Sequence, residues 1–226
     1  MSRYKWFRAE WPFPMHILAE RLKAKSFGDG SSDGFVIDRL RDDFIEARYV
    51  ERVEYTDKVV DPFGKELSFE RVEFKQWEFR ASSFGPGLEL LDAPRSTQGL
   101  VSRLIEASDF ALAISPLSVD VLAWATLLQE RAKVSGIVDS LQVGALELER
   151  GILAKTVIKG DRDVREACTL LTKGKRYSLE KVQLRLQGTK NGIVLLTNLG
   201  SAKVDVDDPD ELVFALRKSL ADMFGS

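Results

Sequence analysis

Phe44 to Arg80 reads FIEARYVERVEYTDKVVDPFGKELSFERVEFKQWEFR, and the assignment of this stretch decides the fold class. Phe44 to Thr56 and Leu67 to Arg80 are rich in aromatic and β-branched residues, the composition of strands. Between them Asp61-Pro62-Phe63-Gly64-Lys65 carries turn chemistry, because proline presets φ and glycine accepts positive φ. The two runs predict a long antiparallel hairpin.

Working outward from it, Arg3 to Ala9 predicts a strand stopped by Pro12 and Pro14. Ile17, Leu18 and Leu22 place a helix over Met15 to Lys25, and the glycine- and serine-rich run Ser26 to Gly34 predicts a loop. Beyond the hairpin, Phe84-Gly85-Pro86-Gly87 breaks the chain, and Leu88 to Leu91 predicts a strand. Asp92-Ala93-Pro94 leads into a helix near Ser96 to Ala107. Ser118 to Lys133 predicts a helix, capped by Ser118, that bridges two halves. Strands follow at Ile137 to Leu148 and Ile152 to Ile158, then a helix at Asp161 to Thr172. A second hairpin joins Arg176 to Gln187 and Ile193 to Asn198 around Gly188-Thr189-Lys190-Asn191-Gly192. Lys203 to Val206 is a short strand and Asp208 to Phe224 a closing amphipathic helix.

Both halves run strand, helix, long hairpin, short strand, helix, and both place an aspartate before a helix-starting proline. The order predicts an α+β protein of two small sandwiches, ferredoxin-like or TATA-binding-protein-like, with helices on one sheet face and a pseudo-repeat between them. The expected domains are residues 1–115, a bridging helix over 116–135, and residues 136–226.

Composition excludes several function classes. With one cysteine, Cys168, no intramolecular disulfide can form. One histidine, His16, removes His-cluster sites, and the pair removes the usual zinc ligand sets. The apolar stretch Phe110 to Ala125 is interrupted by Ser115, Pro116, Ser118 and Asp120, too broken for a bilayer span. Met1 to Glu10 lacks the apolar run of a secretory signal, so the expected setting is cytoplasmic, with no membrane partner.

Most candidate chemistry has a plain structural explanation. His16 beside Met15 and Ile17 fits a capping or half-buried helix residue, and Cys168 shares an apolar helix face with Val164 and Leu171. The Gly28 to Gly34 loop has no Lys-Ser/Thr pair to cradle phosphate, and its two aspartates repel one. Asp208, Asp210 and Glu211 of the acidic run beginning at Asp205 suit the first turn of a helix. No cofactor and no metal site is implied.

The first hairpin carries one enzymatic alternative. Asp61 followed by Glu73-Phe74-Lys75 resembles the Asp…Glu-x-Lys signature of the PD-(D/E)xK nuclease superfamily. That resemblance implies a divalent metal held by Asp61 and Glu73, with Lys75 stabilising the attacking water or developing charge.

The larger signal is a basic run. From Arg150 to Lys190 there are eleven Lys and Arg against four Asp and Glu, although the whole chain has 33 against 35. In Arg176 to Gln187, alternation sends Val182, Leu184 and Leu186 to one face, and Tyr177, Lys181, Gln183 and Arg185 to the other, with Leu179 out of step. Tyrosine, guanidinium, ammonium and amide groups on one sheet face suit single-stranded or structured nucleic acid, or another phosphoanion. The expected contacts are Lys155, Lys175, Arg176, Tyr177, Lys181, Gln183 and Arg185. Lys75, Trp77 and Phe79 of the first hairpin are expected to add a similar face. The sequence thus points to recognition rather than catalysis, with a protein-interaction subunit as the alternative.

Overall fold

The computed structural model describes residues 1–92, 96–188 and 191–224. In chain order the elements are β1 (Ser2–Glu10), α1 (Met15–Ala24), β2 (Asp33–Leu40), β3 (Phe44–Val60), β4 (Glu66–Ser82), β5 (Gly87–Leu91), α2 (Gln98–Ala107) and β6 (Ala113–Pro116). They continue as α3 (Val121–Ala132), β7 (Ser135–Glu149), β8 (Ile152–Lys159), α4 (Arg165–Thr172), β9 (Ser178–Gln187), β10 (Gly192–Thr197), β11 (Ser201–Val206) and α5 (Asp210–Phe224). No helix among the described residues is long and apolar enough to cross a membrane.

The chain divides into two compact units, each discontinuous in sequence: residues 1–9, 84–92 and 114–226 form the first, residues 10–83 and 93–113 the second. The pairing overturns the expectation of two small ferredoxin-like or TATA-binding-protein-like sandwiches. In the first unit a large antiparallel sheet runs β5-β1-β11-β10-β9-β7-β8, with β6 also on β1. Strands from both ends of the sequence therefore share one sheet, with Tyr4 opposite Ala202 and Lys5 opposite Leu90. The pseudo-repeat fails for the same reason, since β1 and β5 complete the sheet of the C-terminal strands. Of the two Asp-before-Pro signals, Ala93-Pro94 lies outside the described residues.

Helix α3 lies within the first unit. It is capped by Asp120, whose carboxylate accepts the N–H groups of Leu122 and Ala123, rather than by Ser118. Its Trp124 and Leu128 are fully buried in the first unit's core with Val182, Leu184, Leu216 and Leu220. Trp124 packs edge-on against Trp6 at 5.7 Å, and each indole N–H is satisfied. Trp124 Nε1 donates to Ser219 Oγ at 3.0 Å, and Trp6 Nε1 donates to Glu89 Oε2 at 2.9 Å. Glu89 also receives a two-bond fork from Arg217, at 2.7 and 2.6 Å. Gly87 lets β5 approach β1: at φ +94° a Cβ there would lie 2.1 Å from the Ala9 carbonyl oxygen.

In the second unit β2, β3 and β4 lie side by side and α1 packs on β2 and β3. Strand β2 begins within the expected loop, because Gly34 allows a close crossing: a Cβ there would sit 2.5 Å from Phe27 N. Trp77 and Phe79 are core residues, correcting their expected place on a binding face. With Phe35 and Tyr49 they form a ring cluster, Tyr49–Trp77 at 5.3 Å and Phe35–Phe79 at 6.1 Å. The Tyr49 hydroxyl donates to Asp33 Oδ2 at 2.9 Å, and Arg103 Nε lies 2.8 Å from the same oxygen.

Two outcomes follow from this packing. Glu89→Ala leaves Arg217 and the Trp6 indole without their buried acceptor, and urea unfolding is expected to show a loss of about 3 to 5 kcal/mol. Burial pushes the Tyr49 phenol up to about 12. An unfolded tyrosine gives up its proton near pH ~10 while the folded one keeps it, so Tyr49 makes stability fall as pH rises through that window. Absorbance titration of phenolate should therefore show a late component that loses amplitude in Tyr49→Phe, the remainder belonging to Tyr4, which burial also pushes up.

Candidate binding face

Alternation along β9 is as the sequence implies: Val182, Leu184 and Leu186 are buried, and Lys181 and Arg185 are exposed. Helices α3, α4 and α5 supply core residues on the buried side. The pairings extend the other side across five strands. One row runs Lys203, Leu195, Gln183, Ser140, Lys159 from β11 to β8. The next runs Ser201, Thr197, Lys181, Gln142, Val157. A third holds Asp205, Ile193, Arg185 and Ile137. Lysines thus end the first row about 19 Å apart, at four strand spacings.

Two bulges between β7 and β9 modify this face. Asp139 is the extra residue where the β7–β9 register shifts between Val138 and Ser140. Its carboxylate, 1% exposed, accepts a hydrogen bond from Gln183 Nε2 at 3.0 Å and two from Arg185, at 2.9 and 2.6 Å. The Arg185 guanidinium, expected to face a phosphate, is therefore already paired within the sheet.

Glu180 is the second extra residue, between Leu179 opposite Val143 and Lys181 opposite Gln142. The bulge explains why Leu179 falls out of step, since it packs against the core. Tyr177 is two residues before Leu179, ahead of β9, so it does not continue the Lys181–Gln183–Arg185 side. The Glu180 carboxylate meets Lys155 and Gln142, which together hold it below its ordinary range, Lys155 most strongly.

Of the seven expected contacts, Lys181 and Gln183 lie side by side on the open face, while Arg185 and Lys155 sit there already bound to carboxylates. Lys175, Arg176 and Tyr177 are exposed in the turn before β9, where the Arg176 carbonyl accepts the Glu147 N–H at 2.9 Å. Lys190 of the basic run lies outside the described residues. Sequence reasoning omitted Lys159 as a contact and missed Lys203, which the pairing brings onto the same row. Only strand register could have found Lys203, which stands apart from the basic run.

The other candidates stay apart. Asp61 closes the hairpin turn, its Oδ1 accepting the N–H groups of Phe63 and Lys65 at 2.8 and 2.9 Å. Glu73 stands opposite Val53, seven residues along β4 from Glu66, which puts it roughly 23 Å from the turn. Asp61 and Glu73 do not share a metal centre, and Lys75 faces Glu51. No cluster of three His, Cys, Asp or Glu suited to a metal occurs among the described residues. Cys168 is buried, and burial pushes its thiol up, away from the reactive thiolate. His16, expected to cap the helix or to be half-buried, is exposed on the first turn of α1, whose N-cap is Pro14.

The Asp139 pairing has a measurable consequence. Asp139→Ala strands a cation and an amide that the bulge had satisfied. Its expected cost is about 3 kcal/mol in urea unfolding, the low end for a broken buried pair because Arg185 is half exposed. No protein-family model matches the chain, and no curated protein matches it in sequence.

Proposed function

We propose that this chain is a non-enzymatic recognition protein that binds nucleic acid through its phosphates on the open face of the first unit's sheet. The observation that supports it is the pair of rows in which Lys203, Lys181 and Lys159 alternate with Gln183, Gln142, Thr197 and Ser140. Ammonium groups two strands apart attract a backbone of regular negative charge, and the amides and hydroxyls supply hydrogen bonds. Leu195, Ile193 and Val157 give apolar patches between them. These rows hold no aromatic ring, so the face suits backbone contact in structured nucleic acid better than base stacking along a single strand. Tyr177 with Lys175 and Arg176 flanks it at the start of β9. Asp139 and Glu180 moderate the charge, an arrangement that favours reversible binding. A reducing cytosolic setting suits the single buried Cys168.

Fluorescence anisotropy with a labelled RNA stem-loop and a labelled single strand tests this reading. Binding should weaken steeply with salt, with a slope in log–log form of about −3 for three neutralised phosphates. The folded variant Lys159→Glu/Lys181→Glu/Lys203→Glu should bind at least about tenfold more weakly. Absence of binding to both probes at low salt overturns the proposal, as does wild-type affinity in the triple variant.

A further inference from the structure

The hairpin of β3 and β4 outgrows the strand beside it. Strand β2 stops opposite Glu51, and the last bond on that edge is Arg52 N–H to the Ser32 carbonyl at 2.7 Å. From Arg52 opposite Phe74 to Val60 opposite Glu66 the arm continues as two strands alone. Alternate residues of an antiparallel strand point their N–H and C=O groups to the same edge. Glu54, Thr56, Lys58 and Val60 therefore share the direction of Arg52, and among the described residues their outward backbone groups meet no partner.

The arm also carries Phe63, Phe69, Val72 and Phe74 as exposed side chains, Phe63 at 94%. A long strand edge without a blocking proline invites another strand. In β3 the only protection is charge, and its placement selects the partner.

We propose that this edge pairs with the same edge of a second copy, β3 antiparallel to β3 about a two-fold axis at Thr56. In that register Glu54 of each copy, 3.0 Å from its own Arg52, stands opposite Lys58 of the other, 3.8 Å from its own Glu66, so opposite charges face each other reciprocally across the axis. Val53 meets Val59 on both sides of the axis, and the pairing ends there because Ser32 already occupies the place opposite Arg52. Tyr55 faces Asp57 of the second copy. Within one chain Arg71 already lies over the Tyr55 ring at 5.1 Å and 3.5 Å from Asp57, so the new carboxylate meets a cation nearby. Glu54, Thr56 and Lys58 together exchange about six backbone hydrogen bonds with their counterparts.

Neighbouring registers are worse on charge alone. Moving the axis to Tyr55 sets Arg52 against Lys58 of the other copy, and moving it to Asp57 sets Asp57 against itself. Moving it two residues brings Glu54 or Lys58 opposite its own copy. Like charges directly opposite destabilise an antiparallel pair, so among these registers the sequence favours the one centred on Thr56. The opposite edge, on β4, offers Ser68, Glu70 and Val72 and fewer β-branched residues, a weaker strand template.

Sedimentation velocity of the whole chain from about 1 to about 200 µM tests this, over the range expected for a small interface. Wild type should shift from monomer to dimer within the series. Glu54→Lys and Lys58→Glu, each checked for wild-type circular dichroism, should weaken the dimer at least about tenfold. The exchanged variant Glu54→Lys/Lys58→Glu restores opposite charges across the axis and should return to within about threefold of wild type. Thr56→Pro removes an outward N–H that the β3–β4 ladder does not use, and should abolish the dimer. A chain that stays monomeric at the highest concentration overturns the proposal. So does a dimer indifferent to both single variants, or one that the exchange fails to restore.

Discussion

A carboxylate buried in a sheet needs N–H and cationic partners, and Glu89 takes both, from the Trp6 indole and from the Arg217 guanidinium. Those three residues lie on β5, β1 and α5, which are far apart in sequence and adjacent in the first unit. Their network fixes where β1 and β5 must sit relative to α5. The Trp6–Trp124 contact then ties α3 to the same point. Removing water from this corner makes every misplacement expensive, because an unpaired ion there has no solvent to turn to. The C-terminal strands consequently cannot complete their sheet without the first strand of the chain.

The same sheet shows how backbone irregularity sets electrostatics. Without its bulges, β7 and β9 would alternate strictly, and the side away from the helices would collect the basic residues of the run. Each bulge instead inserts one acid. Asp139 reaches Arg185 and Gln183, and Glu180 reaches Lys155 and Gln142. The face then keeps a narrower set of lysines, Lys159, Lys181 and Lys203, drawn from three strands. A count of charges along the chain cannot see this, because Asp139 lies outside the run it neutralises.

Elements whose signal is local were legible. The long hairpin, the five helices among the described residues, strands β7 and β8 and the β9–β10 pair follow from apolar periodicity and turn chemistry, with boundaries within a few residues. Strand β2 was hidden because Gly34 reads as loop punctuation, when its lack of a Cβ serves a close crossing with Phe27. Trp77 and Phe79 looked like a binding face because alternation says which residues share a side, not which side is covered. The nuclease-like trio failed for a related reason: spacing in sequence put Asp61 near Glu73, and a fully extended strand carried them apart.

The amino-acid sequence by itself determined most of the α and β segments, the absence of a disulfide framework, and the side of β9 that enters the core. These are properties of near neighbours, where 3.6-residue and two-residue periods and turn geometry dominate. Tertiary structure decided the sheet order, the pairing of β1 with β11, the fate of each charge and the exposure of the hairpin arm. Those depend on contacts between segments many residues apart, whose free energy comes from shared burial and from mutual satisfaction of polar groups rather than from any one stretch.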